Sequence, residues 1–100
     1  MIVRVSTGGV VAIDDLDDFA RFKVTVDASS DAWADVSGRV SGKVDFADAH
    51  TAWVMVCFLR GASATAEWQD GLSKMIAKAA PHGWVSDDGS AIKAHVEWSS

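Results

Sequence analysis

The residues whose types and spacing could do chemistry are Asp48 and His50 just ahead of an apolar run, Trp53 inside that run, and His82 and Trp84 after Pro81. An imidazole titrates near neutral pH, and beside a carboxylate it can take up and return a proton. Aromatic rings around such a pair would hold an apolar organic substrate. On this reading His50, His82 and Asp48 are the catalytic candidates, and Trp53 and Trp84 bind the substrate. A plainer reading stands beside it. A histidine in a turn, such as His50, or at a helix C-terminus, such as His82, is explained by structure alone, because a cation complements the helix dipole there.

For these residues to meet, the chain must return to where it started. Residues 52–60 read as a strand about 30 Å long, and residues 64–80 as a helix about 25 Å long. The helix nearly retraces the strand, which brings His82 and Trp84 back beside Asp48, His50 and Trp53.

The remaining elements follow from local pattern. Residues 2–6 and 10–13 are β-branched and extended, interrupted by Thr7, Gly8 and Gly9, so they form one bulged strand or two. The acids of residues 14–18 suit a helix N-terminus. Beyond them two periods compete: Leu16, Phe19, Ala20 and Lys23 follow helical spacing, while Phe22, Val24 and Val26 alternate as a strand would. We read a helix over 15–26. Residues 29–35 are polar and could start a further helical turn. Val40, Gly42, Val44 and Phe46 alternate with polar residues as a strand with one wet face. Trp68, Leu72, Met75, Ile76 and Ala79 form the clearest helical stripe, ended by Pro81 and Gly83. Asp87, Asp88 and Gly89 signal a turn, and Ile92, Ala94, Val96 and Trp98 alternate in a closing strand.

In order these elements give βαββαβ, the ferredoxin-like α+β arrangement: a four-stranded antiparallel sheet with two helices on one face. The 52–60 strand is apolar on both alternations, so its uncovered face asks for a second copy of the chain. A homodimer closing into a dimeric α+β barrel is the expected assembly. One domain spanning 1–100 accounts for the length.

Composition narrows the function. Charged residues make up 23% and apolar residues 49%, with a net charge of −5, and the basic residues are scattered. Attraction to a phosphate backbone is therefore not expected, and nucleic acid is not a predicted partner. The run 52–59 is far shorter than the roughly 20 residues that span a bilayer, and the N-terminal segment develops no signal-like apolar core. No membrane association is expected. The single Cys57, read as a buried thiol, fits a reducing, cytoplasmic compartment.

Other candidates carry less. Asp45, Asp48 and His50 match no established ligand spacing, so no metal is predicted. The 14–18 acids lack the Gly and Glu of a calcium loop. His95 lies on the wet side of its strand. No glycine pattern forms a nucleotide cradle and no serine sits in a nucleophile elbow, so no cofactor is expected. Two functions remain: a dimeric domain binding an apolar small molecule in a Trp-lined cavity, with cofactor-free acid/base catalysis as an extension, and a non-enzymatic interaction module.

Overall fold

A computed structural model describes residues 1–98 apart from Thr7, Asp17 and Ala20. β1 (Ile2–Ser6) turns through Gly9, whose φ of 84° needs a residue without a Cβ, into the antiparallel β2 (Val11–Asp14). Arg4 and Asp14 pair across this hairpin at 3.2 Å. The chain then passes beneath the start of β1, where the Met1 amine donates to the backbone carbonyls of Asp18 and Arg21. β3 (Lys23–Asp27) lies parallel to β1 on its other side.

The helix expected over 15–26 does not form: its described residues before Lys23 carry no helix, and Lys23–Asp27 is a strand. The β-branched residues decide it: Val24 and Val26 are buried on the sheet's inner face, where branched side chains fit the pleat better than a helical turn. Within that expected helix, Asp17 and Ala20 lie outside the described residues.

α1 (Trp33–Val40) buries Val36 and Val40, one turn apart, and pairs Asp35 with Arg39 at 3.4 Å on its wet side. Gly42, with φ 95°, turns the chain into β4 (Val44–Phe46). The strand expected to open at Gly38 is thus the end of a helix, a left-handed glycine and three residues of strand. β5 (Thr51–Met55) pairs with β4 and passes directly into the short α2 (Val56–Arg60), which buries Leu59. That junction explains why residues 52–59 are apolar on both alternations. The chain changes from a period of two to a helical one inside the run, so the second apolar set packs from a helix.

α3 (Ala66–Ala79) matches the expected stripe, with Trp68, Leu72, Met75 and Ala79 buried. Thr65 caps it by accepting a hydrogen bond from the Trp68 amide, and a 3₁₀ turn over Ala80–His82 with Gly83 at φ 75° ends it. β6 (Ala91–Trp98) closes the sheet.

The sheet has six strands in the order β2-β1-β3-β6-β5-β4. β1, β3 and β6 are mutually parallel neighbours, and β6 is antiparallel to β5. This curled mixed sheet, carrying three helices among the described residues, replaces the four-stranded antiparallel ferredoxin-like sheet and the dimeric α+β barrel. Residues from all three helices join the same core as Val3, Val24, Val44, Val54 and Val96 on one face of the sheet.

The opposite face is largely polar. Across it run Arg4, Thr25 and Glu97 in register, then Lys23, His95 and Thr51, then Lys93, Trp53 and Asp45. Lys23 and Glu97 pair on it at 3.0 Å. The apolar face that argued for a second copy is absent from this sheet, because Cys57 and Leu59 belong to α2.

Candidate functional site

β6 has two different neighbours along one edge. β3 pairs with its C-terminal part, from Lys23 opposite His95 to Val26 opposite Trp98. Its N-terminal part is met by residues 84–86: Val85 bridges Ile92, and the Lys93 amide donates to the Trp84 carbonyl at 2.7 Å. Phe22 and Trp84 stand where these neighbours stop, and two hollows open around them.

The larger is a cavity of about 670 Å³ between α3, the Phe19 and Phe22 side chains and the 82–84 turn. Phe19, Phe22, Met75, Ile92 and Trp84 supply its apolar wall. Lys74, Lys78, Lys93 and His82 also line it, and among the described residues no acid does. The smaller, of about 330 Å³, shares Phe22, Trp84 and Lys93 with the larger, and adds His50, Thr51 and His95.

Each wall has a local cause. Trp84 is 49% exposed, and its ring stacks on His82 with centroids 4.4 Å apart and planes 20° from parallel. Gly83 makes this possible, since its left-handed backbone folds the two flanking rings together. Phe19 can pack this closely against α3 because residue 71 has no side chain: a Cβ there would stand 2.6 Å from the Phe19 ring. Trp68 fixes the same loop by donating its indole N–H to the Leu16 carbonyl at 2.8 Å, its ring 6.0 Å from Phe19.

The structure divides the residues singled out in the sequence. His82 and Trp84 share the larger cavity, and His50 lies in the smaller hollow on the other side of Trp84. Asp48 belongs to its own turn, where one carboxylate oxygen accepts the amides of His50 at 2.7 Å and Thr51 at 2.9 Å, an Asx turn closing the β4–β5 hairpin. Trp53 sits on the polar sheet face between Asp45 and Lys93, and lines neither hollow. His95 is exposed, as its alternation requires. Cys57 is exposed on α2 rather than buried, because the helical period turns it outward. Among the described residues, no three of His, Cys, Asp or Glu gather in a way that could hold a metal ion. Sequence reasoning missed Phe19, Phe22, Lys74, Lys78 and Lys93. The lysines had a signal in their placement along or opposite apolar stripes, but Phe19 and Phe22 were assigned to a helix that does not form.

The turn that aims Trp84 at the cavity is held by a second aspartate. The Asp88 carboxylate accepts the Ser90 hydroxyl, the Ser90 amide at 3.0 Å and the Ser86 hydroxyl at 2.9 Å. Above all the Ser90 hydroxyl, then the Ser90 amide and the Ser86 hydroxyl, favour the charged form and bring the Asp88 pKa from 3.8 down to about 2. A carboxylate with a depressed folded pKa supports its turn fully above the ordinary value and loses that support as pH falls through the depressed one. Asp88 should therefore still be ionised near pH 3, titrating at about 2 by carboxyl NMR. Ser90→Ala should return the midpoint toward 3.8. An ordinary Asp88 midpoint in the unaltered chain would show that the turn is not held this way.

Compared with known proteins, the chain matches no family model, no curated sequence and no solved structure. Among the described residues no helix is long and apolar enough to cross a membrane.

Proposed function

We propose that this chain binds a small apolar organic molecule in the cavity between α3, Phe19, Phe22 and the His82–Trp84 stack. The observation that carries the reading is a cavity of about 670 Å³ whose apolar wall includes three aromatic rings. Ligand sites typically enclose about 300–1,000 Å³ and present mostly apolar surface with a few polar groups at fixed positions. Half of Trp84 is open to water although its ring is large and apolar, and a bound molecule would cover it.

Binding is favoured over acid/base catalysis because His82 lines the cavity with no carboxylate among the described lining residues, while the Asp48 carboxylate serves its own turn. A general base needs its partner within hydrogen-bond reach. A cytoplasmic setting suits the free, exposed Cys57, which an oxidising compartment would leave open to disulfide exchange.

The test uses 2-naphthalenemethanol, an uncharged two-ring probe. Its titration should shift the amide NMR signals of Gly71, Trp84 and Ile92 with a saturable curve, and Trp84→Ala should weaken that binding by about tenfold, the loss of one aromatic contact surface. Trp84 is exposed, so the variant should remain folded. Shifts confined to other parts of the chain, or no saturable shift with either this probe or its carboxylate analogue, would overturn the reading.

A further inference from the structure

We propose that the ligand of this cavity is an organic anion, a small carboxylate with an apolar, ring-bearing body, whose carboxylate is held by Lys78 and Lys93. This rests on the reading of the cavity as a ligand site and adds the chemical class of the ligand. The chain carries a net charge of −5, with 14 acidic residues against nine basic ones. A cavity lined at random would be expected to include carboxylates. Among the described residues its lining instead holds three lysines and His82, and no acid.

The three lysines differ in what they can offer. Lys74 is engaged, pairing with Asp70 one helical turn away at 3.0 Å. Lys78 and Lys93 have no carboxylate partner among the described residues. They come from different elements, Lys78 from the last turn of α3 and Lys93 from β6 beside Trp84, and both line the cavity. An ammonium is a compact donor of up to three hydrogen bonds, and a carboxylate accepts from two donors at once. The apolar body then lies against Phe22, Met75 and Ile92, with a ring over the open face of Trp84. Offset stacking suits a flat ring there better than a bulky aliphatic group.

The experiment compares 2-naphthoate with 2-naphthalenemethanol, which share the ring system and differ in carboxylate against hydroxymethyl. On the unaltered chain at low ionic strength, naphthoate should bind about tenfold more tightly, the contribution of charge-assisted contacts at a partly wet rim. Added salt should narrow that preference. Lys78→Met with Lys93→Met should abolish it while leaving the alcohol's affinity within about twofold, since both side chains are exposed and methionine keeps the apolar stem. Lys43→Met removes the same charge beside Phe58, outside this cavity, and should leave the preference intact. Equal binding of the two probes, or a preference that survives the double substitution, would overturn the anion assignment while leaving the cavity a site for neutral molecules. Binding of neither probe would remove the site itself.

Discussion

Leu72→Ala should lower the unfolding free energy by about 3 kcal/mol, within the roughly 2–5 kcal/mol typical of emptying a packed site. Leu72 is fully buried in the middle of α3, facing the sheet's inner surface. Its removal takes away apolar burial and leaves a hole that the surrounding valines, stiff at χ1, cannot fill by changing rotamer. A chain of this size has a total stability of roughly 5–15 kcal/mol, so the loss is a large share of the whole. Ile76, one turn further on, is only half-buried and should cost less than half as much. Urea unfolding measures both, and the midpoint should fall with little change in slope, because the surface exposed on unfolding is nearly the same. A Leu72→Ala loss under about 1 kcal/mol would mean that the inner face of α3 is not where the structure places it.

Trp68→Ala should be at least as damaging, at about 3–5 kcal/mol, and should also impair ligand binding. Trp68 is 5% exposed, and it joins α3 to the loop that forms one wall of the cavity. Its indole N–H satisfies the Leu16 carbonyl, and its ring supports Phe19. The described residues between β2 and β3 form no strand or helix, so these contacts and the Met1 amine hold them in place. Trp68→Phe separates the two roles. It keeps most of the buried ring but removes the indole donor, and should cost about 1–2 kcal/mol, the scale of one lost hydrogen bond at a partly buried group. Naphthoate binding should weaken strongly in the alanine variant and mildly in the phenylalanine one. Equal effects of the two would assign the anchoring to the hydrogen bond rather than to the ring.

Where a single period governs a segment, the chain is readable from its residues. The stripe from Trp68 to Ala79, with Thr65 before it and Pro81 and Gly83 after it, is the helix its spacing implies, and Ile92 to Trp98 alternate as the strand they form. Reading fails where two periods are spliced. Residues 52–60 join a strand to a helix with no glycine or proline between them, and residues 40–46 join a helix end to a strand while every second residue stays apolar or small. Topology was hidden for a different reason. β3 lies between β1 and β6 through pairings that cross most of the chain, and no local pattern encodes them. The histidines and Trp84 were recognisable because turn chemistry and ring size mark them. The lysines that line the cavity are ordinary wet-face residues in sequence, and only the meeting of α3 with β6 brings them to one cavity.

The position of β6 sets the order in which this fold can be completed. It is the sixth strand in sequence, yet it sits inside the sheet, between β3 and β5. Until residues 91–98 arrive, β2-β1-β3 and β5-β4 are separate ribbons that share no strand pairing. Synthesis from the N-terminus delivers both ribbons first, each with an open edge that could recruit a foreign strand. Insertion of β6 closes both edges in one event, and its contacts with β3, such as Lys23 with His95, lie far apart along the chain. Such closure carries a high loop-entropy cost before it is rewarded, which places folding toward the slow, millisecond-to-second end for chains of this size. The cavity, built on the β6 edge, is therefore among the last features to exist, and the ligand proposed for it would engage only a chain whose sheet is already whole.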